Sequence, residues 1–237
     1  ASRWAVNTAV QFHNADPEKC TVVNRGANVR HSFSFNEIDT LISNRECARG
    51  NGVCKCMLLG TDFERKGGLI ACEVVRILNE VYHVKASLDV IGSTPNIPLK
   101  YKLYVNVIGY LNKQIRKEYE QIENIFKSSD FFLMPTRREA QGISYAEACS
   151  WGVPVVATNT GGVSGIVSDT VNGILFEEQD EPMLYAKRMM NYISNPDKYR
   201  HLAESTYKYF YQKLSWDAVG KQIDDVLKDC SGIKKDV

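Results

Sequence analysis

No stretch of this 237-residue chain is apolar for long enough to cross a bilayer, which takes about 20 residues in succession. No secretory leader is visible, and no Asn-x-Ser/Thr glycosylation site occurs. Neither sign of charge is in excess. Lys and Arg total 29 against 28 Asp and Glu, a net +1, which argues against a dedicated nucleic-acid binder with its basic surplus. Cysteine is present without a pattern: the seven are an odd number, and their spacings fit no disulfide or zinc framework. Cys54-Lys-Cys56 is the only close pair, with no second pair or histidine at ligand spacing. Cys72 and Cys149 stand in apolar helical patterns as small buried hydrophobes. Free thiols fit a reducing compartment, so a cytoplasmic protein is expected. No Gly-x-Gly-x-x-Gly follows a strand, which argues against a dinucleotide-dependent oxidoreductase. Internal repeats and low-complexity linkers are also missing.

What is present is alternation. Cys56 to Gly60, Ala86 to Ile91, Val105 to Ile108, Phe131 to Met134, Val153 to Ala157 and Gly173 to Phe176 are short apolar runs. Between them, Ile70, Val74, Ile77, Leu78 and Val81 recur at helical spacing over 67–82. Tyr119, Ile122, Ile125 and Phe126 do the same over 118–128. Strand and helix in turn predict an α/β fold: a Rossmann-like, doubly wound parallel sheet with right-handed crossovers. After Glu181 the pattern is helical to the end. Pro182 opens a helix to about Ser194, Asn195-Pro196 breaks it, and helices over 199–212 and 216–228 follow, the last capped by Ser215. The first fifty residues read less regularly. A helix is expected over 2–12 and a strand at Cys20-Thr-Val-Val23, while 36–47 is ambiguous. The chain opens Ala1-Ser2-Arg3-Trp4 without an initiator methionine, and the expectation is a segment of a longer protein.

Ligands of open α/β sheets bind beyond the carboxyl ends of the strands, so the loops there carry the functional reading. Gly60-Thr-Asp-Phe-Glu-Arg65-Lys66-Gly67-Gly68 sets two cations before a helix start, where free N–H groups and the helix dipole favour an anion. Taken alone it is equally a turn with two exposed basic residues. Glu139 and Glu147 bracket the next loop with seven residues between them, and Gly142 lies in that span. Ser144-Tyr-Ala-Glu147 reads as a capping box, which by itself accounts for both residues. Glu139 has no such structural duty. A carboxylate repels phosphate, so Glu139 and Glu147 are expected to face hydroxyl donors, with Arg65 and Lys66 on phosphates opposite them. Hydroxyls at both ends and phosphates between describe a nucleotide sugar. Thr158-Asn-Thr-Gly161-Gly162 adds only a tight turn.

Together these stretches resemble the retaining glycosyltransferases of family GT4. The Glu-x7-Glu signature is Glu139 to Glu147, and Gly-Val-Pro-Val-Val-Ala-Thr-x-x-Gly-Gly continues it over 152–162. Lys66-Gly67 is similar to the Lys-Gly of the phosphate-binding helix, Asn172-Gly173 to the Asn-Gly before the last strand, and Ser215-Trp216 to the opening of the final helix. The likeness runs through residues 20 to 230. It implies the C-terminal, donor-binding half of a GT-B enzyme with a helical C-terminal extension. Residues 1–19 would end a preceding acceptor domain, and 20–237 would be the donor domain.

By the resemblance, Glu139 contacts the donor sugar and Glu147 the ribose. Lys66 and nearby Arg65 neutralise the diphosphate. Gly60, Gly142, Ile143 and Ser144 face sugar and phosphate, and the segment from Tyr110 to Lys113 borders the base. No metal or cofactor is implied, because the cations replace it, and the departing phosphate takes the acceptor's proton. The full-length enzyme would transfer a hexose to a glycan or lipid-linked acceptor held by the other domain, with peripheral membrane association, while the segment alone would be inactive. Two departures favour a non-catalytic nucleotide-binding module instead: Thr61 stands where the family has an arginine, and Gly165 where it has a glutamate. An epimerase-like GT-B enzyme is the third reading.

Overall fold

The computed structural model describes residues 2–50 and 52–231. Residues 232–237 of the expected donor domain lie outside the described residues. Six strands form one sheet: β1 (Val53–Leu59), β2 (Lys85–Ile91), β3 (Val105–Gly109), β4 (Phe131–Met134), β5 (Val155–Thr158) and β6 (Gly173–Phe176). Every pairing is parallel, and the order is β3-β2-β1-β4-β5-β6. β4 and β5 are buried at every residue. That is why they read as unbroken apolar runs: a parallel sheet covered on both faces offers no polar side. Each fully buried Leu, Val, Met or Phe of these strands contributes roughly 1.5–3 kcal/mol.

The helices are α1 (Arg3–His13), α2 (Phe35–Gly50), α3 (Gly68–Glu80), α4 (Arg116–Ser128), α5 (Ile143–Cys149), α6 (Pro182–Ile193), α7 (Pro196–Tyr209) and α8 (Trp216–Ser231). α3 packs on β1, β2 and β4 and meets α6, while α2 packs on β1, α4 and α7. Strand order decides where a ligand can sit. The chain runs outward from β1 to β3, then returns to place β4 on the other side of β1. The loops leaving β1 and β4 therefore diverge from adjacent strand ends, which opens a crevice there.

One N-terminal expectation is corrected and one ambiguity is resolved. The strand expected at 20–23 is irregular backbone, and the chain there runs toward the helices: Ala27 N–H donates to the Leu214 carbonyl at 3.0 Å, and Gly26 sits beneath the Trp216 ring. The ambiguous 36–47 stretch is the middle of α2. It lacks a clear apolar stripe because two of its inward residues are arginines. Arg45, 2% exposed, donates to the carbonyls of Trp151 and Gly152 at 3.0 and 2.9 Å. Arg49 pairs with Asp130 at 3.2 Å, and its guanidinium lies 3.4 Å from the Tyr199 ring centroid. Burial pushes the Asp130 carboxyl up to about 6, against the pull of the Lys55 N–H and Arg49. At the other end, α7 continues through a π-helical turn (Phe210–Leu214), and Ser215 caps α8 as expected, accepting the Ala218 N–H at 3.2 Å.

His31 is a further titratable group, partly buried. It stacks on Phe33 and packs against Trp151 (centroids 4.3 and 4.0 Å), with Nε2 3.1 Å from the Ser150 hydroxyl. Burial lowers its pKa to about 4, so the fold holds it neutral. The unfolded chain binds that proton near pH 6.5, so stability falls as pH drops from about 6.5 to about 4. His31→Phe should remove this dependence. The wild-type-minus-variant difference in urea unfolding should shrink by roughly 2–3 kcal/mol across that window, at about 1.36 kcal/mol per pH unit; a pH-independent difference would contradict the account.

Candidate functional site at the β1–β4 crevice

The two loops that leave the crevice are locked to each other. Gly67 has φ +73, and a β-carbon there would stand 1.8 Å from the Pro135 carbonyl oxygen. Only glycine permits both the left-handed backbone and that approach. Beside it, the Arg137 N–H and the Thr136 hydroxyl both donate to the Arg65 carbonyl, at 2.8 and 3.1 Å. In return, Arg65 Nη1 donates to the Arg138 carbonyl at 3.1 Å. Asp62 sets the turn, accepting from the Arg65 backbone N–H and Nε at 3.1 and 3.0 Å. An aspartate three residues before an arginine in a Gly-rich loop is the local signal for such a turn.

This lock brings the expected residues together. Lys66 is buried, its stem crosses Gly60, and its ammonium is hydrogen-bonded to the Glu139 carboxylate. A β-carbon on Gly60 would come within 2.9 Å of that stem. Arg65 Nη1 stands 3.9 Å from the same carboxylate. The cations and Glu139 were expected on opposite sides of a ligand; instead they share one wall. The cause is electrostatic: two partly desolvated opposite charges on adjoining loops pair.

Around Glu139, other expectations sharpen. The Gly161–Gly162 turn, which carried least weight in the sequence, supports the Glu139 loop directly. Gly162 N–H donates to the Glu139 carbonyl at 2.8 Å. Side chains at 161 or 162 would fall 2.2 Å from the Glu139 carbonyl oxygen or 1.9 Å from that of Ala140. Ser2, buried at the start of α1, reaches the same loop by donating to the Ala140 carbonyl at 3.0 Å. Thr61 is exposed, and the guanidinium of Arg65 supplies a cation nearby. Gly165 is exposed in a short 3-10 turn with no close neighbour around it except the Ser2 β-carbon at 3.9 Å.

The capping box is overturned. Gly142, at φ +77, is the residue that precedes α5, and no side chain caps the helix. A β-carbon at 142 would strike the Tyr145 ring at 2.4 Å, and Tyr145 in turn anchors α5 by donating to the Met134 carbonyl at 2.9 Å. The first backward bond at this end is Tyr145 N–H to the Gly142 carbonyl at 3.0 Å, so the N–H groups of Ile143 and Ser144 stay open at the helix start. Glu147, freed from capping, is 2% exposed and accepts from Lys113 Nζ at 2.7 Å. Burial raises its pKa, and Lys113 pulls it back. Lys113 lies in the connection after β3 and thus crosses to α5, its carbonyl held by Arg30 Nη2 at 3.0 Å. Tyr110 is exposed at the end of β3, outside this cluster. Among the described residues, no three His, Cys, Asp or Glu side chains group as metal ligands.

A crevice at a strand-order reversal, with a buried lysine, an adjoining arginine, two carboxylates and an open helix start, defines a site for an anionic, hydroxyl-bearing ligand. Residues 57–209, more than half of the chain, match the family model of the glycosyl transferases group 1, and the chain belongs to that family. It is 24% identical over 208 residues to an uncharacterized glycosyltransferase of Methanocaldococcus jannaschii, covering 83% of this chain and 57% of that protein. It is 23% identical over 241 residues to the D-inositol 3-phosphate glycosyltransferase of Corynebacterium efficiens, covering 96% of this chain and 56% of that protein. Among solved structures, it superposes on HepE of Anabaena in complex with UDP with a TM-score of 0.71 at 18% identity, covering 96% of this chain and 62% of that one. At that identity the likeness is one of fold, and the fold is the Rossmann-like half of a GT-B glycosyltransferase. The chain spans little more than half the length of these curated relatives. Among the described residues, no helix is long and apolar enough to cross a membrane.

Gly67→Ala tests the lock between the loops. Left-handed strain of about 1–2 kcal/mol and an overlap costing about 1–3 kcal/mol should together lower stability by roughly 2–5 kcal/mol in urea unfolding. An unchanged midpoint would show that the loops are not held this way.

Proposed function

We propose that the chain is the donor-binding half of a retaining glycosyltransferase that takes a hexose from a nucleotide diphosphate sugar. The observation that carries this reading is the contact of Lys66 with Glu139 in the loop that leads into α5. An ammonium has three N–H donors, and Glu139 uses one, which leaves two for phosphate oxygens. The open N–H groups of Ile143 and Ser144 supply further donors, and the positive end of α5 favours negative charge beside them. Breaking the bond between the sugar's anomeric carbon and the phosphate oxygen places charge on the diphosphate. Preorganised donors act most strongly at that moment, because they need no rearrangement as the charge develops. Glu139 then has two duties: it positions Lys66, and its remaining lone pairs accept from the hydroxyls of the sugar. Glu147, with Lys113 beside it, takes the ribose hydroxyls, and the stretch from Tyr110 to Lys113 borders the base. The departing phosphate receives the acceptor's proton, so no protein nucleophile is required.

The Anabaena neighbour has been solved with UDP and with UDP-glucose, which supports a nucleotide sugar as the ligand class here. The acceptor, a glycan or a lipid-linked sugar, would be held by an opposing domain, and a lipid-linked acceptor would bring the full-length protein to the inner face of a membrane. Arg65, 3.9 Å from Glu139, weighs against the non-catalytic reading, since a second cation stands at the crevice despite Thr61.

In calorimetric titrations with UDP-glucose and GDP-mannose, Lys66→Met and Glu147→Gln should each weaken the donor that binds wild type by about tenfold or more. That corresponds to the roughly 1.5–3 kcal/mol of a hydrogen bond to a charged group. Wild-type affinity in both variants would contradict the assignment.

A further inference from the structure

Two cations beside the crevice are not among the residues proposed to hold the donor. Arg137 and Arg138 immediately precede Glu139, and their backbone is held at nearly every polar atom. The Arg137 N–H donates to the Arg65 carbonyl at 2.8 Å, and the Arg137 carbonyl accepts from the Thr160 hydroxyl at 3.3 Å. The Arg138 carbonyl accepts from Arg65 Nη1 at 3.1 Å. Both side chains are exposed, and among the described residues neither guanidinium pairs with a carboxylate. Arg65 next to them is already engaged by Asp62 at 3.0 Å.

The pair lines a cavity of about 590 Å³ with Glu64, Arg65, Leu69 and Ile70. Lys66 and Glu139 do not line it, whereas Arg65 and Gly67 do, so this space adjoins the proposed donor contacts and shares Arg65 with them. A second cavity of about 290 Å³, on the side of Glu178 and Asp180, is also bordered by the two arginines, but its acids disfavour an anion. The larger cavity combines three guanidiniums and one carboxylate with the apolar surface of Leu69 and Ile70.

Two exposed guanidiniums without a carboxylate partner, on a held backbone and lining one cavity, suit an oxyanion with several acceptor oxygens. Arginine's planar fork binds phosphate oxygens in pairs. Position gives the anion its meaning: Arg138 is bonded to Glu139, which is proposed to hold the donor sugar. The cavity thus adjoins the proposed sugar end of the donor, and an acceptor seated on the opposing domain would reach it with an anionic group.

We propose that Arg137 and Arg138 form an anion subsite for the acceptor, so that the acceptor carries a phosphate or diphosphate group near the hydroxyl that receives the sugar. This rests on the donor reading above.

The test is calorimetric titration of inorganic pyrophosphate into the chain, without nucleotide and with saturating UDP. With the donor site filled, pyrophosphate should still bind. Arg137→Ala/Arg138→Ala should weaken that binding about tenfold or more while UDP affinity stays at the wild-type value. Arg137→Lys/Arg138→Lys should fall between the two, since charge remains and the fork is lost. If UDP abolishes pyrophosphate binding, or if the double alanine variant binds pyrophosphate like wild type, the inference is overturned and the donor reading stands. If the wild-type chain binds no UDP, the donor reading itself fails, and the inference with it.

Discussion

The Pro135 carbonyl oxygen occupies the space that a β-carbon on residue 67 would need. That one approach, available only to glycine, brings the loop after β1 against the loop after β4. Much of the site depends on it. It allows the Thr136 hydroxyl and the Arg137 N–H to reach the Arg65 carbonyl, and it sets Lys66 against Glu139. The topology makes the approach possible, since β1 and β4 are neighbours whose connections diverge. The Gly161–Gly162 turn and Ser2 then press on the Glu139 loop from its other side. A site assembled this way has little freedom left in its backbone, which suits a role in positioning charge.

The two ion pairs give the crevice its electrostatic character. Lys66–Glu139 and Lys113–Glu147 each bring a carboxylate and an ammonium together in a partly or wholly buried setting. Neither is an obvious source of stability, because desolvation offsets most of the attraction between buried charges. Their value is geometric. Each pair leaves donors and acceptors free for a ligand that bears phosphate and hydroxyl groups together. A nucleotide sugar, the ligand proposed above, is a molecule of that kind.

The sheet was legible because buried parallel strands leave unbroken apolar runs, and its parallel sense because those runs alternate with helices. α2 was not, since Arg45 and Arg49 point inward where an apolar stripe was sought, and their partners Trp151 and Asp130 lie far along the chain. The apolar Cys20–Val23 run looks like a strand, but nothing in a local window says that no sheet edge receives it. At the site, the glycines and charged residues singled out in the sequence come together in space, while their pairing was not legible. The Ser144–Glu147 spacing matches a capping box, yet Gly142 takes the helix start and a lysine from the β3 connection captures Glu147. Local spacing lost to a long-range contact in each case. The family resemblance reached the same residues by a different route, and its residue roles remain the proposal made above.

The central claim is that a nucleotide sugar binds where β1 and β4 part. Backbone amide chemical shifts recorded during titration with UDP test it most directly. The account predicts that resonances of Lys66 to Gly68 and of Gly142 to Ser144 move together along one saturating curve, while those of α2 and α7 stay in place. Saturable shifts confined to α2 and α7, with the two loops unmoved, would contradict it.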